Sequence, residues 1–395
     1  MAAEAVNGVG PRLFRARERA GFSQDEVAVL VAQPRTVISN WENEVRRPSA
    51  RDIERLALVY RTSVSSLLGA EQENRPEFEK LLFRDAGDHL DPKGKYEIQR
   101  FLKFLDDYGD LLTNLEEQPG LRQSPFTIRD GFYSKDDIRR RADEARRFLG
   151  LGDGPIGDLV GAADAVGLSV YFAPLGADLT TTVSGAFVPH VEVGFSIIVN
   201  SQTTPGRRQF TLAHELGHAL FQGSHYYVGY FGRREGPERF ANAFASEFLV
   251  PAAALRAMAE SLGVVRATEP ELVVYLQRYF GVSYEMMLVR LRSAGLANDE
   301  DISALRQVRP VQFAEALGYP VDSDEKVQDP SSWGLSRFPR RFLRLLRRAI
   351  RDEVISIGRA EEMTGVAREE LDEFLEDRPP GKEDQEEFEY IAASG

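Results

Sequence analysis

Two histidines four residues apart, with a glutamate directly after the first, fix the local fold of His214-Glu215-Leu216-Gly217-His218. On an α-helix, side chains at i and i+4 lie one above the other on one face, so the pair projects together if this stretch is helical. The two imidazoles can then share one metal ion. Glu215 stands beside them, placed to take a proton from an attacking water. Either histidine alone would read as an ordinary polar residue on a half-buried helix. The chain has only five histidines, so the three-residue pattern is not what composition alone would produce.

A catalytic zinc site normally takes three protein ligands and keeps a fourth position open. The chain has no cysteine. That excludes thiolate zinc sites, iron–sulfur clusters, disulfides and a cysteine nucleophile, so the third ligand must be His, Asp or Glu. Downstream, residues 237–249 have a helical period, and Glu238 and Asn242 lie four apart on one face. The helical-face argument selects Glu238 as third ligand. It gives Asn242 the task of accepting a hydrogen bond from the outer nitrogen of a ligating histidine. Glu247 is the competing ligand, although its place before Phe248-Leu249-Val250 reads more easily as a structural carboxylate. His190, His225 and Tyr227 could each stabilise an oxyanion, but nothing in the sequence separates them from ordinary loop residues.

At this point the sequence resembles the ImmA/IrrE metallopeptidases of the zincin class. The resemblance runs through Asn200, then Arg208 to Phe221, and resumes at Glu238 with Ala241-Asn242, Phe244-Ala245, Leu249 and Pro251. It implies zinc (Zn2+) held by His214, His218 and Glu238, with Glu215 as the catalytic residue. It also implies a protein substrate, such as a helix-turn-helix repressor, or a toxin as partner. In zincins the peptide generally lies antiparallel to an edge strand, for which residues 183–188 are the candidate.

Around this centre the chain divides into four parts: 1–70, 71–125, 126–298 and 299–395. Its length suits two to four units. The expected fold class is multidomain: an all-α helix-turn-helix N-terminal domain, a helical connector, an α+β zincin-like metallopeptidase domain, and a helical C-terminal region with an acidic tail. In the connector, Phe78, Leu81, Leu82, Ile98, Phe101, Leu102 and Leu105 form one apolar stripe, which reads as a helical spacer or dimerising arm. From 126 onward, helices at 135–149 and 156–166 precede strands at 168–172, 183–188 and 195–199, with further helices at 210–221 and 237–249. Residues 337–351 form a basic helix whose Phe338, Phe342, Leu345, Leu346 and Ile350 share one side, best explained by core packing.

The N-terminal part resembles the lambda-repressor-like (Xre) helix-turn-helix family. A first helix spans 13–19, Ser23 caps the second, and residues 34–42 match the recognition helix, locked down by Val37, Ile38 and Trp41. Gln33, Arg35, Thr36, Ser39 and Asn40 are the expected contacts to bases or phosphates, while Gln24, Arg46 and Arg47 suit phosphate positioning. Asn43 stands where many relatives carry glycine, a position that asparagine fills in a left-handed conformation. The net charge of −13 rules out a chain whose whole surface binds nucleic acid, and the module's own basic excess is slight. DNA binding through this module then suggests a homodimer; the alternative is that the module recruits another helix-turn-helix protein.

No run approaches the roughly 18 apolar residues needed to span a bilayer, and residues 1–10 lack a secretory signal. The expectation is a cytoplasmic chain with no membrane contact. Two functions fit: a DNA-binding regulator fused to a zinc endopeptidase, or a non-proteolytic regulator or antitoxin whose zincin-like domain serves as sensor or docking module.

Overall fold

The computed structural model describes residues 8–69, 90–126, 134–176, 183–222, 227–230, 236–319 and 330–376. Five short helices, α1 (Val9–Arg19), α2 (Gln24–Leu30), α3 (Arg35–Glu42), α4 (Ala50–Val59) and α5 (Val64–Leu68), form the N-terminal module. Their boundaries follow from the caps. Ser23 and Ser49 each accept from the backbone three residues on, and Glu26 and Asp52 reach back in reciprocal capping boxes. Leu13, Phe22, Val27, Ile38, Trp41, Leu56 and Tyr60 fill the module's core. A buried ion pair, Arg17 Nε to Glu42 Oε1 at 2.7 Å, ties α1 to α3. One local expectation is corrected. Asn43 has φ −91°, and the left-handed residue is the next one, Glu44, at φ 59°. The Asn43 amide instead donates to Ser39 O at 2.8 Å, closing the end of α3.

The rest is organised on a four-stranded sheet in the order β1-β3-β2-β4: β1 (Ser169–Ala173), β2 (Val183–His190), β3 (Gly194–Asn200) and β4 (Tyr227–Tyr230). β1 and β3 are parallel; β2 runs antiparallel to both of its neighbours. Every residue of β1 and β3 is buried, so this sheet has to be covered on both faces. On one face, Phe172, Phe187, Ile197 and Val199 pack with α7 (Lys135–Phe148), α8 (Leu159–Ala165), α9 (Pro205–Gln222) and α10 (Gly236–Leu249). The same core takes in α12 (Pro270–Phe280) and α13 (Tyr284–Ser293), which follow α11 (Ala252–Ser261).

On the other face, Tyr171, Ala186, Val188 and Ile198 meet α6 (Pro92–Asn114) and a helix near the C-terminus, α16 (Arg340–Arg351). The intervening α14 (Asp299–Leu305) and α15 (Pro310–Ala316) lie in sequence between these parts. Aromatic rings knit this second layer: Phe104 lies 5.0 Å from Tyr171 and 4.9 Å, edge-on, from Phe342. The spacer reading of residues 71–125 therefore fails for their described part. Ile98, Phe101, Leu102 and Leu105 are buried against the sheet, and the apolar side of residues 337–351 completes the layer. Phe78, Leu81, Leu82 and the acidic stretch 379–389 lie outside the described residues.

α6 also carries the helix-turn-helix. Lys95 Nζ reaches Glu26 Oε1 at 2.7 Å, Gln99 Nε2 donates to Ala20 O at 3.2 Å, and Arg61 pairs with Asp106 at 2.6 Å. The edge-strand expectation is corrected as well. β2 lies between β3 and β4, which pairs with it from Val183 to Phe187, so β4 forms the edge on that side. No helix among the described residues is long and apolar enough to cross a membrane.

Candidate metal centre

α9 lays Leu212, Leu216 and Ala219 on the sheet and turns its histidine stripe toward α10. Gly217, between the two histidines, permits the approach of α10. A methyl group there would stand 2.9 Å from Phe244 Cδ1 and 3.5 Å from Ala241 Cα. α10 is held in turn by Phe240, Phe244 and Phe248, spaced four apart, the first two packed on Phe221. This crossing brings the first turn of α10, and with it Glu238, over the histidines.

His214 Nε2 lies 3.1 Å from His218 Nε2. Glu238 Oε2 is 3.3 Å from His214 Nε2, and Oε1 is 3.5 Å from His218 Nε2. His214, His218, Glu215 and Glu238 are 7, 0, 0 and 4% exposed. The outer nitrogens are engaged too. His214 Nδ1 faces Asn242 Oδ1 at 3.2 Å, and His218 Nδ1 faces Gln222 Oε1 at 2.5 Å. Carbonyl oxygens accept, so each Nδ1 carries the proton and each Nε2 presents a lone pair. Two lone pairs and a carboxylate then converge in a buried space. The arrangement is repulsive by itself and is relieved by a divalent cation, so the residues present fit a metal with nitrogen and oxygen ligands.

Burial pushes Glu238 upward; when the facing imidazoles of His214 and His218 are protonated at Nε2 as well, their hydrogen bonds and charge outweigh it and hold the carboxyl down at about 2. Burial lowers His218, which suits a neutral ligand. Glu215 is pushed well above the ordinary carboxylate range by burial and then by the charge of Glu238. It lies against β2 at Gly185, where a Cβ would stand 2.7 Å from Thr211 Cγ2 and 3.4 Å from Glu215 Cγ. Among the described residues no side chain hydrogen-bonds either Glu215 oxygen, and the backbone N–H of Phe187 on β2 offsets part of the upward push.

The remaining sequence candidates fall elsewhere. Glu247 accepts from Arg290 Nη2 at 2.6 Å and from Ala252 N at 2.9 Å, bracing the start of α11. His190 Nδ1 accepts from Glu192 N and Val193 N in the β2–β3 turn. His225 lies outside the described residues, and Tyr227 opens β4. Gln222 escaped the sequence reading, although it continues the His214–His218 spacing by one more turn.

In the helix-turn-helix, Arg35, Thr36, Arg46 and Arg47 are exposed, and Gln33, Ser39 and Asn40 are half-buried on the same module. Arg35 Nε lies 3.5 Å from Asp25. Gln24 differs in that its amide donates to Glu42 Oε2 at 2.9 Å, turning that donor inward.

Residues 163–292 match the family described as IrrE N-terminal-like domain, and residues 13–67 match the one described as Helix-turn-helix. The "Radiation response metalloprotease IrrE" of Deinococcus radiodurans is 35% identical over 108 residues, 26% of this chain and 30% of that protein. Its namesake in Deinococcus deserti is 37% identical over 93 residues, 22% of this chain and 30% of that protein. The "HTH-type transcriptional regulator ImmR" of Bacillus subtilis is 31% identical over 74 residues, 19% of this chain and 58% of that protein. The matches thus span less than a third of either metalloprotease and little over half of the regulator. The chain joins a DNA-binding type of module to a metallopeptidase-type domain. The second is ImmA/IrrE-like and the first is Xre-like.

Proposed function

We propose that the protein is a DNA-binding transcriptional regulator whose second domain is a zinc endopeptidase acting on a regulatory protein, such as a helix-turn-helix repressor or a toxin. One observation carries the reading: His214, His218 and Glu238 converge within 4.8 Å of one another, and the buried Glu215 shares the helix of the two histidines. His214, His218 and Glu238 would hold the zinc. When bound, that ion supplies Lewis acidity toward the scissile carbonyl. Glu215 takes the proton of the attacking water and delivers it to the leaving amine. Asn242 holds the His214 ring in its tautomer, and the dry walls of the pocket strengthen each of these interactions.

The test is incubation of the purified chain with helix-turn-helix repressors encoded beside its gene. Cleavage that stops on chelation and returns with zinc is expected. Cleavage that persists under chelator, or intact repressor throughout, would remove the endopeptidase reading. Burial of Glu215 and His218 gives the alternative, a non-proteolytic sensor or docking module, its one specific support, and this assay separates the two.

For the DNA half, Arg35→Ala and Asn40→Ala should each weaken binding to a cognate operator by roughly 1–3 kcal/mol if they read bases. Fluorescence anisotropy on fragments of the source genome measures this. Undiminished binding by both variants would move the contact to another surface.

A further inference from the structure

We propose that Gln222 is the positioning residue for His218 and that the centre is built to rely on two neutral amides, Gln222 and Asn242, where metal sites often use a carboxylate. The proposal rests on reading His214, His218 and Glu238 as a metal site. Gln222 ends α9 four residues beyond His218, so the same face carries both proposed ligands and the orienting group. Its Oε1 is 2.5 Å from His218 Nδ1, the shorter of the two outer contacts; Asn242 Oδ1 is 3.2 Å from His214 Nδ1 and comes from the facing helix. An imidazole with no outer partner can turn about its χ2 torsion and present either nitrogen. Gln222 removes that freedom for His218.

The choice of amide has an electrostatic reason. The pocket already holds two buried carboxylates, Glu215 and Glu238, and a third beside His218, at the half-buried position 222, would add like-charge repulsion whenever the metal is absent. An amide oxygen accepts the same proton without that penalty. It also leaves the imidazole less basic than a carboxylate partner would, so the cation keeps more of its charge for the substrate.

Zinc affinity is measured on the full chain by competition with a chromophoric chelator, and the ligand field by the visible spectrum of the cobalt(II) form. Gln222→Met, which keeps volume and loses the acceptor, should weaken zinc binding by roughly 10- to 100-fold. Its cobalt bands should shift, while the far-UV circular dichroism and melting temperature of the metal-free chain stay at wild-type values. Gln222→Glu should restore affinity to the wild-type level or above. If Gln222→Met binds zinc as tightly as wild type with an unshifted cobalt spectrum, Gln222 does not position His218. A Met variant that loses affinity only in step with its metal-free melting temperature, with no rescue by Glu, also overturns the proposal. Absence of zinc and cobalt binding by the wild type would instead sink the metal-site reading beneath it.

Discussion

Glu215→Gln should leave zinc on the protein and cut repressor cleavage by roughly 10²- to 10⁴-fold, the usual contribution of a positioned general base. The two outcomes come from different parts of the geometry. His214, His218 and Glu238 converge through their own atoms, and Glu215 contributes none of the contacts that bring them together. Glutamine matches glutamate in size, so Thr211, Gly185 and the sheet behind it are not disturbed. Replacing this carboxyl by a neutral amide should also raise the melting temperature of the metal-free chain at neutral pH, because burial and the charge of Glu238 both disfavour the ionised form of Glu215 in the folded state. Metal analysis, cleavage rate and a thermal melt on the same preparation check all three. Full activity in this variant would remove Glu215 from the chemistry and leave the metal as a structural element.

The second large effect concerns the fold. Phe342→Ala should destabilise the chain by roughly 3–5 kcal/mol, as expected for removing a fully buried phenylalanine from a packed core. Phe342 has no exposed surface and lies against Phe104, Tyr108 and Phe338, which connect it to Tyr171 of β1. The loss should therefore be felt across the sheet, as a fall in zinc affinity together with the melting temperature. If residues 299–395 formed an independent region, the variant would unfold that region alone and leave zinc binding unchanged. Thermal melts of zinc-loaded and zinc-free protein separate the two outcomes.

The side chains that converge at the candidate centre were legible because helical spacing is a short-range rule: the pairs His214–His218 and Glu238–Asn242 each follow from i to i+4 stacking. Ser23 as a cap, and Ile38 and Trp41 as buried residues beside a half-buried Val37, are local in the same sense. What spacing could not give was the partner of each apolar face. The stripe of Ile98, Phe101, Leu102 and Leu105 is visible in the sequence, but its destination, the far side of a sheet whose strands begin some seventy positions later, is a long-range fact. One clue was present. Phe195 to Val199 is nearly continuous in apolar residues, the sign of a strand buried on both faces, and that requires a second helical layer. β4 lies in a stretch with tyrosines and glycines but no clear alternation, and so the edge of the sheet was assigned one strand too early. The left-handed turn falls at Glu44 because Asn43 is the C-cap of α3 and Glu44 is the residue beyond it.

α6 belongs to two bodies at once. One end grips the helix-turn-helix through Lys95, Gln99 and, further along, Arg61 with Asp106, while Phe101 and Phe104 press on Tyr171 in the sheet. The two parts therefore share one helix, through which the orientation of one bears on the other. A duplex seated on α3 would fix the bearing and pitch of the histidine helix relative to the groove, so the reach of the centre is set by a lever arm and not by a tether.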